Sequence, residues 1–149
     1  MTVIVRAVAS QDRSDWQRLF VAYGAFYETA FDADVLAGVW GWLTDDSHEV
    51  NALVAVDDSG DLVGFAHYRR LADTFTAGPG WFLDDLYVDP AARGAGAATA
   101  LIDAVAERAA ANGGGTLRWI TAENNHTAQR LYDRVATRAT WVTYERKTN

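Results

Sequence analysis

The sequence of 149 residues contains no cysteine, only two prolines and one methionine, and comparatively few basic residues. Without cysteine, disulfide frameworks, thiolate nucleophiles and cysteine-ligated zinc or iron–sulfur sites are excluded. Lys and Arg number 13 against 20 Asp and Glu, which gives a formal net charge of −7, and the basic residues form no block. We therefore expect no nucleic-acid partner, because the neutralisation of phosphates requires clustered positive charge.

Long hydrophobic segments are also missing from the sequence. No apolar run approaches the ~18 residues of a membrane-spanning helix, and the first ten residues lack the apolar segment of a signal peptide. We therefore expect a cytoplasmic protein with no membrane partner. The remaining composition, 50% hydrophobic and 22% charged, is that of an ordinary globular protein. A chain of this length fits one domain, residues 1–149, with a core large enough to fold without disulfides.

The pattern of apolar and turn-forming residues predicts alternating strands and helices. Strands are expected over residues 2–9, 51–56, 62–69, 81–88, 116–121 and 141–146. Helices are expected from a capping box at 14–17, over 32–43, from 94 to about 112, and over 125–136. The turn at Asp57–Asp61 forms a hairpin and implies antiparallel pairing, whereas the later strand–helix alternation implies parallel pairing. We predict an α/β fold of mixed α+β type, with a central mixed β-sheet flanked by helices on both faces.

The most informative stretch is DDLYVDPAARGAGAA, which begins at Asp84 and ends at Ala98. The strand stops at a proline, and small residues lead directly into a helix, so that an anion can approach the backbone N–H groups of the helix start. Arg93 adds a positive charge, and the pattern favours phosphate. A P-loop is excluded because the chain has no Gly-Lys pair, and Thr99 replaces the third glycine of a dinucleotide fingerprint. Taken alone, the loop is equally consistent with a plain glycine-rich turn.

Two segments together, LYVDPAARGAGAATALI and NHTAQRLYDRVA, resemble the cofactor-binding motifs of the GNAT superfamily of acetyl-CoA-dependent N-acetyltransferases. The first contains the pyrophosphate loop R/Q-x-x-G-x-G/A and the strand that pairs with pantetheine, and the second matches the helix motif N-x-x-A-x-x-L-Y. The resemblance covers nearly the whole chain and implies a single GNAT domain with acetyl-CoA as co-substrate. The cofactor-binding residues that it implies are Leu86, Tyr87, Val88, Arg93, Gly94, Ala95, Gly96, Ala97, Ala98 and Asn125.

Within the superfamily, the segments FYETAFDADVLAGVWGWL and LYDRVATRATWVTYERK resemble the branch named for fungal histone and polyamine acetyltransferases. Two positions depart from the usual pattern. Ala97 replaces a bulkier aliphatic residue in the loop, and Thr140-Trp141 replaces Gly-Phe after the last helix. The histidines His48, His67 and His126 are far apart in the sequence and show no metal-ligand spacing, so we expect no metal.

Acetyl transfer to an amine requires that the amine loses a proton and that the departing thiolate gains one. Tyr132, which the helix motif identifies, is the candidate proton donor, since a phenol is protonated at neutral pH; a packing role is the alternative. Asp84 and Asp85 are the candidate bases, and regular strand alternation allows only one of them to face a given cleft. The family pattern places an acidic residue just before Leu86, which favours Asp85. Glu123 is the third candidate base, and a water chain without a single base is a further alternative. The alternative role of either aspartate is a solvated charge at the strand end or an ion pair with Arg118.

The resemblance implies transfer of acetyl from acetyl-CoA to a primary amine by direct attack. A small cationic amine or polyamine is favoured by the net charge, the paired aspartates and the narrower resemblance. Trp40, Trp42 and Trp81 are candidates for the lining of an amine cleft, since aromatic faces attract cations. A protein lysine as acceptor, a longer acyl group, and a non-catalytic CoA-binding sensor are the alternatives, and a homodimer is left open.

Overall fold

The computed structural model describes residues 2–149 and divides the chain into a first unit that ends at Trp119 and a second unit over Ile120–Asn149. The first unit contains five strands, β1 (Ile4–Ala7), β2 (Val50–Val56), β3 (Leu62–Asp73), β4 (Gly78–Val88) and β5 (Leu117–Arg118). Its helices are α1 (Arg13–Phe26), α2 (Ala33–Leu43) and α3 (Ala97–Ala111), and the second unit contains α4 (His126–Val135). That residues 1–149 form one domain stays a prediction.

The strands form one sheet in the order β1-β2-β3-β4-β5. The first four strands are antiparallel neighbours, and β5 is parallel to β4, so the predicted mixed sheet is confirmed. The hairpin turn between β2 and β3 is closed by Asp57, whose Oδ1 accepts hydrogen bonds from the backbone N–H groups of Ser59 and Asp61. Gly60 in this turn has a φ of 86°, a conformation that glycine adopts without a steric penalty.

Helices cover both faces of the sheet. Helices α1 and α2 pack on one face, where the core consists of Trp16, Leu19, Phe20, Leu36, Trp40, Val54, Leu62 and Phe65. Helix α3 contacts β2, β3 and β4 through an apolar stripe of Leu101, Ile102, Val105 and Ala109, all of which are buried. Gly64 of β3 permits this close approach, because a Cβ there would meet the Tyr87 carbonyl and the Leu101 side chain. Among the described residues, no helix is long and apolar enough to cross a membrane.

The helix starts differ from the predictions at two positions. The capping box at Ser14 is wrong, because α1 begins at Arg13 after a 3₁₀ turn over Ser10–Asp12. Helix α3 begins at Ala97 rather than at Gly94, because Gly94 and Gly96 have φ values of 90° and 78°, which a right-handed helix cannot contain. The predicted start of α2 is confirmed, with the side chain of Asp32 accepting the N–H of Val35.

The predicted last strand over residues 141–146 is absent from the structure, in which the described residues after Ala136 have no helix or strand. The strand over 116–121 is also shortened, to Leu117–Arg118. A strand needs hydrogen-bonding partners along its length, and β-propensity alone does not provide them. Trp141, Val142 and Tyr144 are accordingly 79%, 75% and 91% exposed.

The start of α1 is fixed by a buried carboxylate. Asp12 accepts hydrogen bonds from Arg6 Nη1 at 2.7 Å, from Arg6 Nη2 at 3.0 Å and from the backbone N–H of Ala9 at 2.7 Å. The hydrogen bonds from the Arg6 guanidinium hold the pKa of the Asp12 carboxyl below its usual value. This interaction therefore contributes stability above the ordinary carboxyl pKa and loses it as the pH falls through the lowered pKa.

Replacing Asp12 with asparagine should lower the free energy of unfolding by about 1–3 kcal/mol at neutral pH, because a charge-assisted pair is lost in a buried place. The difference from the wild type should begin to shrink below about pH 4, where the carboxyl of the unfolded chain becomes protonated, and should disappear once the pH falls below the lowered pKa of the folded state. Urea unfolding of the wild type and the variant, at neutral pH and at acidic pH, measures this difference in the free energy of unfolding. Asp15→Asn is the matched control, because Asp15 is exposed and lies 3.9 Å from Arg18. A difference that does not change with pH would contradict the assignment.

Candidate active site

Strand β4 carries a one-residue bulge at Asp84. His67 of β3 lies opposite Asp85, and the next residue, Tyr68, lies opposite Leu83, so Asp84 has no residue opposite it. A bulge bends its strand, increases the local twist and re-aims the side chains around it. The regular alternation expected for Asp84 and Asp85 therefore does not apply.

Both aspartates make contacts on one face of the sheet. Arg69 Nε donates to the two carboxylate oxygens of Asp84 at 3.1 and 3.0 Å, and His67 Nδ1 lies 2.8 Å from Asp85 Oδ2. Because His67 and Arg69 are two residues apart on β3, their side chains lie on the same face. The prediction that only one of the two aspartates can face a given cleft is therefore wrong.

The two carboxylates have different electrostatic surroundings. Burial raises the pKa of Asp84, and the hydrogen bonds from Arg69 oppose this effect. The Arg69 guanidinium also lies over the Phe82 ring, 5.2 Å from its centroid, so Asp84 is half of an ion pair supported by an aromatic ring. Asp85 is hydrogen-bonded instead to the His67 imidazole through Oδ2, and its side chain is 25% exposed, close to the 28% of Asp84. Arg69 holds both oxygens of Asp84, whereas His67 holds only Oδ2 of Asp85, so Asp85 is the better placed of the two to take a proton from a ligand.

The edge of β4 beyond the bulge is not covered by β5. Strand β5 pairs with β4 at Trp81 and Phe82 only, just before Asp84. The following stretch of β4 contains Leu86, Tyr87 and Val88. One edge of this stretch is paired with β3, and β5 does not extend along the other edge. An open strand edge offers backbone N–H and C=O groups to an extended ligand that contains amide groups. Pantetheine contains such groups.

The loop after β4 is built for close approach of an anion. Gly96 is the N-cap of the 15-residue helix α3 and provides no side-chain cap, so the N–H groups of the first turn keep their donor capacity. Among the described residues, no atom outside the immediate chain neighbours lies within 4 Å of where a Cβ would stand at Gly94 or Gly96. Arg93 is exposed beside them. These donors, the open space and the charge fit the pyrophosphate of acetyl-CoA.

The loop is also anchored to the sheet. The Asp89 side chain accepts the N–H of Ala91 at 2.9 Å, and its backbone N–H donates to the Val63 carbonyl at 2.8 Å. Arg18 of α1 lies 3.6 Å from the Asp89 carboxylate.

Ala97, the first residue of α3, is buried, whereas Ala98 is half-buried. The small residue at position 97 therefore packs on the core side of the helix start.

The second unit holds the remaining predicted site residues. Asn125 is the N-cap of α4, and its Oδ1 accepts the N–H of Ala128 at 3.3 Å. This contact gives Asn125 a structural role, and its contact with acetyl-CoA stays a prediction. Tyr132 lies within α4, and its role as proton donor is likewise a prediction. The backbone carbonyl of Glu123 accepts a hydrogen bond from Gln129.

Three of the six tryptophans, Trp16, Trp40 and Trp81, are buried in the core. Trp40 and Trp81 are buried, and the Trp81 indole N–H donates to the Gly114 carbonyl at 2.8 Å, so neither offers an aromatic face to an amine. Trp42 is half-exposed and stacks on His48 with ring centroids 4.9 Å apart. Within residues 2–149, no group of three or more acidic or histidine side chains is arranged to hold a metal.

Two residues of this region were not singled out by sequence reasoning. The sequence spacing gives His67 no role as a metal ligand and points to no role for Trp16, yet the Trp16 indole N–H donates to His67 Nε2 at 2.9 Å. Knowledge of the strand register would identify His67, because His67 and Asp85 are directly opposite each other on β3 and β4.

The Acetyltransferase (GNAT) family model matches residues 12–136 of the chain. The D-amino-acid N-acetyltransferase HPA3 of Saccharomyces cerevisiae is 31% identical over 145 residues, which cover 97% of this chain and 90% of that protein. The uncharacterized N-acetyltransferase YhfO of Bacillus subtilis is 30% identical over 131 residues, or 87% of this chain and 85% of that protein.

Solved structures have the same fold. A ribosomal-protein-alanine N-acetyltransferase from Brucella melitensis superposes with a TM-score of 0.82 at 25% identity and covers 99% of both chains. The aminoglycoside N-acetyltransferase AAC(6')-Iy in complex with CoA gives a TM-score of 0.82 at 22% identity, covering 99% of this chain and 95% of that one. With the family match over most of its length, the chain belongs to the GNAT family of acetyltransferases and is an acetyl-CoA-dependent N-acetyltransferase.

Proposed function

We propose that the protein acetylates a primary amine by direct attack on acetyl-CoA, with Asp85 as general base and Tyr132 as general acid. The observation that carries this proposal is the partly exposed Asp85 carboxylate, which is anchored by His67 at the point where β4 loses its β5 neighbour. Acetyl-CoA supplies the thioester that the amine attacks. The residues proposed to hold it are the open edge Leu86–Val88 and the loop and helix start Arg93–Ala98.

Acetyl transfer requires two proton transfers, and one is proposed for Asp85 and the other for Tyr132. An alkylammonium must lose a proton before its nitrogen can attack, and Asp85 is proposed to accept that proton directly or through one water. The thiolate that leaves needs a proton, and Tyr132 is proposed to give its phenolic proton and to recover one from solvent. Asp84 is not proposed as the base, because its carboxylate is already bonded to Arg69 through both oxygens.

Replacing Gly96 with valine should weaken the binding of acetyl-CoA by at least about tenfold, because the added side chain occupies the space through which the pyrophosphate approaches the α3 N–H groups. Titration calorimetry measures the affinity. Gly60→Val is the matched control, since Gly60 also has a positive φ and open space around it but lies in the β2–β3 turn. The placement fails if a folded Gly96→Val protein binds acetyl-CoA as tightly as the Gly60→Val protein.

The acceptor is proposed to be a small cationic amine or polyamine. The net charge of −7 and the exposed part of Asp85 support this choice, because a site of one sign concentrates ligands of the other. The resemblance to the histone and polyamine branch supports it as well. The Arg69 guanidinium neutralises the charge of Asp84. The negative charge at this edge is therefore supplied by Asp85.

A D-amino acid is the second candidate acceptor. The yeast relative that is 31% identical over 97% of this chain is named for that activity. An amino acid carries a carboxylate as well as its amine, and its recognition needs a cation such as a guanidinium. Arg69 is already paired with Asp84, so this acceptor requires either a rearrangement of that pair or a different cation.

A panel of amines distinguishes the acceptors. We expect diamines and polyamines to show a higher kcat/KM than neutral amines of the same length at low salt, with the advantage falling as salt rises. CoA release gives the rate, and intact mass confirms the acetylated product. The panel includes D- and L-amino acids, a lysine-containing peptide, and longer acyl-CoA donors. Equal kcat/KM for matched cationic and neutral amines would contradict the cationic acceptor, and a preference for D-amino acids would establish the second candidate.

A further inference from the structure

A histidine and a tryptophan that take no part in the proposed proton transfers lie directly behind Asp85. His67 of β3 is 2% exposed, and Trp16 of α1 is 0% exposed. The Trp16 indole N–H donates to His67 Nε2 at 2.9 Å, and His67 Nδ1 lies 2.8 Å from Asp85 Oδ2. The three side chains form a continuous chain of hydrogen bonds that runs from the core to the partly exposed carboxylate.

The identity of the donors fixes the position of the imidazole proton. An indole N–H can only donate, so His67 Nε2 must be an acceptor and carries no hydrogen. The imidazole proton is therefore on Nδ1, where it is donated to Asp85 Oδ2. The opposite tautomer would place two N–H groups against each other at Trp16 and two lone pairs against each other at Asp85.

The imidazole is also held in place by aromatic rings. The Phe65 ring centroid lies 4.6 Å from that of His67, and the Phe20 ring meets it edge-on at 5.1 Å. These rings belong to the close-packed core between α1 and the sheet, where a side chain has little space to reorient. His67 therefore presents its Nδ1–H in one fixed direction.

We propose that His67 is a positioning residue for Asp85. Through its Trp16-fixed tautomer it holds Oδ2 of the carboxylate and directs the other oxygen, Oδ1, to receive the proton of the amine. This inference rests on the proposed function of Asp85 as general base. Misplacing a catalytic group by about 1 Å can reduce the rate by about 10²-fold, so loss of the His67 hydrogen bond should act on kcat.

Two substitutions separate positioning from packing. In asparagine the amide lies at the position of Nδ1, so His67→Asn keeps a donor to Asp85 and loses the acceptor for Trp16. In glutamine the amide lies near the position of Nε2, so His67→Gln keeps the contact with Trp16 and loses the donor to Asp85. Glutamine is closer to histidine in size. If His67 only fills space, His67→Gln should reduce kcat less than His67→Asn does. If His67 positions Asp85, His67→Asn should reduce kcat less than His67→Gln does.

We expect His67→Gln to reduce kcat by about 10–100-fold at saturating substrates, with both KM values changed by less than about threefold. His67→Asn should recover most of this loss. His48→Gln is the matched control, because His48 is a histidine that stacks on another aromatic ring, that of Trp42. This variant should leave kcat unchanged. The inference is overturned if a folded His67→Gln protein keeps its kcat, or if His67→Asn is the slower of the two variants.

The coupling to Asp85 provides the second test. If His67 acts through the carboxylate, the double variant His67→Gln/Asp85→Asn should be no slower than Asp85→Asn alone. Additive losses would overturn the positioning role while leaving Asp85 as base. An unchanged kcat in Asp85→Asn alone would overturn the proposed base, and the positioning role with it, so the two failures are distinguishable.

The tautomer is measured without any activity assay. Nitrogen NMR of the wild-type protein with labelled histidine should show His67 with a protonated Nδ1 and an unprotonated Nε2 at neutral pH, without added acetyl-CoA. A proton on Nε2 would overturn the inference even if no His67 variant folds.

Discussion

Replacing Asp85 with asparagine should reduce kcat by about 10²–10⁴-fold, the usual loss when a positioned general base is removed. Asparagine keeps the shape of the side chain, and its carbonyl oxygen can still accept the hydrogen bond from His67 Nδ1. The amide has no basic oxygen that could take a proton from the amine. The affinity for acetyl-CoA should change by less than about threefold, because the side chain is not among those proposed to hold it.

The adjacent residue provides the control for this change. Asp84→Asn removes a carboxylate from the same bulge, but one that is held by Arg69 through both oxygens. We expect a smaller loss of kcat in this variant. If Asp84→Asn reduces kcat by 10²-fold or more, on the order of a general base, and Asp85→Asn does not, the assignment of the base is reversed.

Replacing Tyr132 with phenylalanine should also reduce kcat by about 10²–10⁴-fold, with the affinity for acetyl-CoA little changed. The substitution keeps the ring and removes the hydroxyl that is proposed to give a proton to the departing thiolate. Thioester donors with more acidic thiols should restore part of the rate, because such leaving groups need less protonation. Steady-state kinetics at saturating substrates measures both effects.

Tyr144→Phe is the matched control, since Tyr144 is exposed and lies outside every helix and strand. Its kcat should equal that of the wild type. A Tyr132→Phe protein within about threefold of the wild-type kcat, or one whose loss is the same for all leaving groups, would reassign Tyr132 to packing.

The parts of the fold that the sequence predicts are those with short-range signals. The N-cap Asp32, the hairpin turn Asp57–Asp61 and the buried stripe of α3 each depend on residues within a few positions of one another. The loop Arg93–Ala98 belongs to this class too, because its glycines and the following helix are contiguous. Local propensity and periodicity predict that these elements exist, but not where each helix begins, as the wrong capping box at Ser14 shows.

The contacts that distinguish the two aspartates depend on register instead. His67 and Asp85 are 18 residues apart, and Trp16 and His67 are 51 apart. The bulge at Asp84 leaves no signature in the residues around it, and regular alternation therefore gave the wrong facing. The missing strand over 141–146 has a similar cause, because its residues have β-propensity and the pairing partner is a property of the whole fold.

The bulge has a consequence for how this strand tolerates changes of length. Deleting the codon for Asp84 would leave His67 opposite Asp85 and Tyr68 opposite Leu83, so every ladder partner on both sides would stay the same. What the deletion would remove is the bend and the extra twist that a bulge introduces. Strand curvature at this edge is thus encoded by a single residue, independently of pairing, and the deletion of that residue would change the shape of the strand without changing its alignment to the sheet.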